Sequence, residues 1–426
     1  MKISHLGAKD CVTGSCHLIE TDPGSADSIN ILVDCGVAYG NDPELPFDQF
    51  PVPPEKIQYL FLTHAHIDHI GRVPDLIDVG FRGEIICTHG TKALLMPMLR
   101  DAMSFSRERW GKNEKAKLET LIDELSWGFE LHKTFTLKQG ITFKLCNAGH
   151  ILGSCFILFT FPEQKGKDYR VIFSGDLGCT DTPILPDPDP PESCDLLILE
   201  STYGDRKHPN RKNRVEALRN LLQKALADNG IVYIPAFALG RTQELLYELD
   251  RIGLAVPVFV DSPLSLEITE IYSSLESCWD QKAKDLMAKG DHPFDFKGLY
   301  AVRKFQDHQK LLNLQGPAII IAGSGMCIGG RIVEHLEQGL CDPKNDIVFV
   351  GYQAEGTPGR KMIEGKIPVK AGVHALTAYS AHADQQMLVD WVHAMPEPPA
   401  EIRLVHGAPD ARKALATALG IERGSF

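Results

Sequence analysis

Thr63-His64-Ala65-His66-Ile67-Asp68-His69 follows directly on the apolar run Ile57-Gln58-Tyr59-Leu60-Phe61-Leu62, and no other stretch constrains the fold as tightly. The apolar run reads as a buried strand. Four potential metal ligands then stand within six residues. Neutral imidazoles and a carboxylate are donors that Zn²⁺ accepts, and Mn²⁺ or Fe²⁺ take the same set. If the chain turns as it leaves the strand, His64 and His66 face one way while Asp68 and His69 face the other. That spacing suggests two ions, because one tetrahedral ion does not easily reach all four.

At 426 residues the chain exceeds one ordinary core, and its 43% hydrophobic content can fill two. The net charge of −12 argues against a chain that coats nucleic acid non-specifically, but not against one with a local basic cleft. The densest basic cluster is Arg206-Lys207-His208 with Arg211, Lys212 and Arg214, which reads equally as a solvated loop. Eleven cysteines without a C-x-x-C pair indicate reduced thiols in a cytosolic protein, with Cys11, Cys35, Cys146 and Cys155 as small core residues. Met1-Lys2-Ile3-Ser4-His5-Leu6-Gly7 has no apolar core of a signal peptide. No run approaches the roughly 18 apolar residues of a spanning helix. A soluble, cytoplasmic protein without membrane contact is expected.

Ile29 to Val33 reads as a strand ending at Asp34, a carboxylate placed to support a ligand histidine from behind. Gly83 to Cys87 reads as another strand, with Thr91 capping a helix beyond it, and residues 106–133 look like a charged helical excursion on the surface. Strand periods return at 141–145, 155–161 and 169–173, and their loops carry His150 and Asp176. Leu196 to Leu199 leads into Glu200-Ser201-Thr202-Tyr203-Gly204. From about residue 209 helices alternate with short strands at 231–234, 256–260, 318–322 and 346–350, which implies a largely parallel α/β sheet. Gly-rich turns carrying Arg241, Ser324, Arg331 and Arg360 follow these strands and suit phosphate groups. Metal-type chemistry resumes with Ser380-Ala381-His382-Ala383-Asp384 and Val405-His406-Gly407, so the α/β segment reads as an insertion into the first domain.

Taken together these residues resemble the metallo-β-lactamase superfamily and, within it, the β-CASP nucleases, over nearly the whole chain. Asp34, the His64 to His69 loop, His150 and Asp176 match the superfamily motifs in order, while Glu200, His382 and His406 match the three motifs special to β-CASP members. The resemblance implies an αββα sandwich over 1–208, an inserted β-CASP domain over 209–370 and completion of the sandwich by 371–426. It implies one metal held by His64, His66 and His150, another by Asp68, His69 and His406, and Asp176 between them. Two Zn²⁺ are expected, with Mn²⁺ as the alternative. Asp68 and His382 count with the catalytic groups, His382 as general acid with Glu200 fixing its tautomer. Ser380 and His374, near His382, are further candidates to touch phosphate. Histidine at position 406 is typical of the RNA-cleaving branch, so single-stranded RNA is the expected partner. The chain resembles the minimal bacterial form and the catalytic core of the eukaryotic pre-mRNA 3′-end endonuclease, and a homodimer is compatible with it. A DNA-directed nuclease, a hydrolase of a small ester or thioester, and a metal-binding scaffold are the competing readings.

Overall fold

Alternating side chains in Thr142–Asn147 and Cys155–Phe161 set the architecture, because Cys155–Phe161 is apolar on both faces and Thr142–Asn147 buries residues toward both. In the computed structural model, which describes residues 1–105, 109–162, 166–209 and 211–421, Phe143, Leu145, Ile157 and Phe159 point into one core while Cys146, Phe156 and Leu158 point into another. A sheet buried on both sides needs a partner on each. A second sheet supplies one partner and helices the other.

The first sheet runs β1 (Lys2–Gly7), β2 (Cys16–Glu20), β3 (Asn30–Val33), β4 (Tyr59–Phe61), β5 (Glu84–Thr88), β6 (Ser126–Phe129) in spatial order. The second contains β7 (Thr134–Thr136), β8 (Thr142–Asn147), β9 (Cys155–Phe161), β10 (Tyr169–Phe173) and β11 (Leu196–Glu200), and β18 (Glu401–Val405) completes it beside β11. Ile31, Val33 and Phe61 of the first sheet pack on Phe143, Phe159 and Phe173 of the second. On the outer face of the second sheet, Leu388 and Trp391 of the helix Gln385–His393 and Leu415 of the helix Pro409–Ala418 cover Phe156, Ile172 and Leu197. The helices Val73–Asp78, His89–Phe105 and Lys112–Leu125 accompany the first sheet, so the αββα sandwich expected from the sequence is present. The charged excursion is the helix Lys112–Leu125, which buries Leu118 and Ile122, and the edge strand β6 follows it. Four residues with Gly128 among them were too short a strand to show in the pattern.

A third sheet has the order β14 (Leu299–Ala301), β13 (Val258–Val260), β15 (Ala318–Ala322), β12 (Ile231–Pro235), β16 (Asp346–Phe349), β17 (Gly372–Ala375), and every pairing in it is parallel. The chain divides into two compact units, one of Met1–Asp181, Leu185–Lys207 and the residues from His382 onwards, the other of Thr182–Ile184 and His208–Ala381. The division expected at residue 370 falls before β17, whose backbone bonds tie residues 372–375 to the third sheet. No helix among the described residues is long and apolar enough to cross a membrane.

Candidate metal centre

Asp34, His64, His150, Asp176, Glu200 and His406 stand at or just beyond the carboxyl ends of β3, β4, β8, β10, β11 and β18, all within the first unit. The loop after β4 turns because Thr63 N–H donates to Asp34 Oδ1 at 2.8 Å, and His66 then begins the short helix Ile67–Ile70. Glycine is required where this loop meets its neighbour: a Cβ on Gly36 would lie 1.6 Å from the Asp68 carbonyl oxygen. Asp34 (φ 59°) and His406 (φ 53°) both adopt left-handed backbone, a strain that the surrounding bonds must hold. For His406 those bonds run from its N–H to Ala8 O at 2.7 Å and from Gly407 N–H to Cys11 O at 3.0 Å.

Two sets of donors face each other. His66 Nδ1 lies 3.1 Å from His64 Nε2 and 3.1 Å from His150 Nε2, and His69 Nε2 lies 3.0 Å from His406 Nε2. Asp68 Oδ2 is 3.6 Å from His406 Nε2. Asp176 divides between the sets, with Oδ2 3.6 Å from His64 and 3.7 Å from His150, and Oδ1 3.3 Å from His69 and 3.7 Å from His406. All seven residues expected to ligate metal are thus brought together. So is Asp34, whose Oδ2 accepts His69 Nδ1–H at 2.7 Å.

The hydrogen bonds behind the rings decide what their front nitrogens present. Thr63 Oγ1 donates to Asp34, so it accepts from His64 Nδ1 at 3.1 Å and leaves His64 Nε2 a bare lone pair. Thr202 Oγ1 donates to the His406 carbonyl at 3.1 Å and accepts from His406 Nδ1 at 3.1 Å, which leaves His406 Nε2 bare as well. His69, whose Nδ1–H donates to Asp34, presents a third. Lone pairs facing at 3.0 Å repel unless a cation lies against both, and Asp176 Oδ1 is buried there without a hydrogen-bond donor. The donor set fits divalent cations. Burial lowers the pKa of His64, and that of His66 to about 4, which keeps those rings in the neutral form that ligates. At His69 burial acts the same way but Asp176 and Asp34 outweigh it, so its pKa is raised and protons compete with the cation on that side.

Beside the cluster, Glu200 Oε1 accepts Leu177 N–H at 2.6 Å, and Glu200 Oε2 lies 3.3 Å from His382 Nδ1. His382 keeps 22% of its side chain exposed, and its Nδ1 is 3.7 Å from Asp176 Oδ2. Burial opposes its protonation, but Glu200 and Asp176 raise its pKa to about 9. Sequence reasoning missed Thr63 and Thr202, the two hydroxyls that set tautomers. Their signal was a hydroxyl beside a ligand and beside a motif glutamate.

The expected phosphate contacts all lie in the second unit. Arg241 is buried on Glu244. Arg331 gives NH1 to Asp261 Oδ1 at 2.6 Å and to Val302 O at 2.9 Å. Both guanidiniums are committed to internal partners. Ser324 Oγ accepts Ile328 N–H at 3.1 Å, Ser380 is buried with its carbonyl on Arg211 at 2.7 Å, and His374 Nε2 meets Asp346 at 2.6 Å. Arg360 is 45% exposed and paired with Glu364 at 2.6 Å. Asp261, His308 and His335 form another buried cluster, but both imidazoles approach Asp261 Oδ2 to 2.6 Å. That is the spacing of the Asp34–His69 hydrogen bond, well inside the 3.3–3.7 Å between Asp176 and its histidines. The Asp261 cluster is a hydrogen-bonded network.

A sandwich with two donor sets at the ends of its strands and a carboxylate between them defines a metal-dependent hydrolase centre. Residues 10–234 match the metallo-beta-lactamase superfamily, 242–362 the Beta-Casp domain, and 366–425 the Zn-dependent metallo-hydrolase RNA specificity domain. The chain belongs to the β-CASP family of the metallo-β-lactamase superfamily. It is 33% identical over 434 residues to ribonuclease TTHA0252 of Thermus thermophilus, covering 99% of this chain and 96% of that protein. It is 31% identical to the transcription termination factor FttA of Methanococcus maripaludis, covering 96% of this chain and 67% of the relative. Cleavage and polyadenylation specificity factor 73 of Drosophila melanogaster is 28% identical, with 98% of this chain and 61% of the factor aligned.

Proposed function

We propose that this protein is a metal-dependent ribonuclease that hydrolyses single-stranded RNA in RNA processing or decay, as endonuclease, 5′ exonuclease or both. His64, His66 and His150 would hold one divalent cation, Asp68, His69 and His406 the other, and Asp176 would serve both. Zinc is the expected ion and manganese the alternative. The single observation that carries the reading is the divided carboxylate of Asp176, one oxygen toward each set of imidazoles. Ions so held supply charge neutralisation at phosphorus and acidify water.

The chain's own groups do the rest. Leu177 N–H pins one oxygen of Glu200, which aims the other at His382 Nδ1. The Nε2–H of His382 is then the proton given to the departing ribose oxygen. The relatives named as a ribonuclease and as a cleavage factor support RNA over a small ester. Free thiols at all eleven cysteines suit a cytoplasmic protein. The test is digestion of 5′-labelled and internally labelled single-stranded RNA, with a matched DNA and a thioester alongside, by protein loaded with two equivalents of zinc. Cleavage of RNA alone, abolished by chelation, is expected. Cleavage of the thioester with RNA intact would overturn the reading.

A further inference from the structure

Among the described residues few large apolar side chains are exposed, and three of them stand on loops beyond the carboxyl ends of neighbouring strands in the third sheet. Phe237 follows β12, Ile328 follows β15 and Tyr352 follows β16, and these strands are neighbours in the order β15-β12-β16. Their exposures are 44%, 69% and 53%. The loops carrying them are interlocked. A Cβ on Gly325 would meet the Phe237 ring at 3.0 Å, so loop and ring are in contact. Gln353 Nε2 donates to Gly325 O at 2.8 Å and to Tyr352 O at 3.1 Å, and Ser324 Oγ holds Ile328 N–H at 3.1 Å. Phe237 O accepts both Thr242 N–H at 3.2 Å and Thr242 Oγ1–H at 2.8 Å. The exposed guanidinium of Arg360 lies within electrostatic reach of Tyr352.

Two exposed aromatic rings on adjoining, hydrogen-bonded loops, with the Glu364-paired guanidinium of Arg360 near one of them, match the π-faces and negative backbone of unpaired nucleotides. Loops held by such bonds need little ordering on binding, which favours a stacking surface. Resting on the ribonuclease reading above, we propose that Phe237 and Tyr352 are a stacking platform for bases of single-stranded RNA, with Ile328 as its apolar floor and Arg360 on the adjoining phosphate. Such a platform accepts any base, because every base has a π-face. It holds the strand without reading its sequence.

The experiment is steady-state cleavage by the zinc-loaded full chain of two RNAs of equal length, one with all its bases and one abasic along the stretch outside the cleaved linkage. Phe237→Ala and Tyr352→Ala should each raise KM on the base-bearing RNA about 5- to 150-fold, from about 1–3 kcal/mol per stacked base. The abasic RNA should show little of that change. Tyr352→Leu keeps apolar bulk without a ring and should behave as Tyr352→Ala does. Trp127→Ala, at an exposed aromatic on β6, is the control and should leave KM unchanged. Equal losses on both RNAs, or full recovery with leucine, would overturn the platform. KM unchanged in every variant would overturn it too. If the wild-type chain cleaves neither RNA, the ribonuclease reading itself falls.

Discussion

Replacing Asp34 with asparagine should strip one metal equivalent and leave the other. The buried carboxylate accepts from Ser15 Oγ at 3.2 Å, Thr63 N at 2.8 Å, Thr63 Oγ1 at 2.9 Å and His69 Nδ1 at 2.7 Å. Asparagine preserves the shape and turns one acceptor oxygen into an NH₂ donor. If its carbonyl stays on Thr63, the NH₂ faces His69 Nδ1. The ring must then carry its proton on Nε2, aimed at His406 Nε2 3.0 Å away, where the metal needs a lone pair. If the amide flips, the buried Thr63 N–H loses its acceptor instead. Loss of such a supporting partner lowers metal affinity about 10- to 100-fold, or about 1.4–2.7 kcal/mol. That agrees with the roughly 1.5–3 kcal/mol of one hydrogen bond to a charged group. The loss falls on Asp68, His69 and His406, since His64 reaches Asp34 only through the Thr63 hydroxyl. Chelator titration of the loaded protein should resolve two release steps, with only the weaker moved by the substitution. Both steps moving together, or neither, would refute the separation of the two donor sets.

His382→Ala should retain both metal equivalents and lose about 10²- to 10⁴-fold in rate on RNA. An aryl phosphodiester, whose leaving group needs no proton, should be far less impaired, and a lost metal equivalent would make His382 a ligand instead. A general acid works only while protonated, so the rate should fall as pH rises through the His382 pKa. Glu200→Gln removes the largest contribution raising that pKa and should move the alkaline limb of the kcat profile to lower pH; a limb that stays put would contradict the pairing. Arg331→Ala breaks a pair with fully buried Asp261 and should cost stability of the order of 3–5 kcal/mol at most, read as a lower unfolding midpoint without a change in the salt dependence of KM. Arg360→Ala should do the reverse, flattening the salt dependence because one phosphate contact is lost.

The metal loop was legible because its ligands are adjacent and its strand is strictly apolar. Strands β8 and β9 were legible for a similar reason, each repeating an apolar face every second residue. What could not be read was pairing at a distance. Arg331 looked like a phosphate contact because a Gly-Gly-Arg turn after a strand suits one, but its carboxylate partner Asp261 lies 70 residues upstream. Thr202 and His406 are 204 residues apart, and nothing in the local pattern of either says that one orients the other. β17 was assigned to the wrong side of a boundary for want of any signal except its register with β16.

The position of β18 has a consequence for how the protein comes into being. His406 stands at the end of this strand, which pairs with β11 after some two hundred intervening residues, and His382 lies only slightly ahead of it. A chain translated only as far as β17 therefore possesses His64, His66, His69 and His150 but neither His382 nor His406. The full set of seven donors can come together only once β18 has been made and has paired with β11.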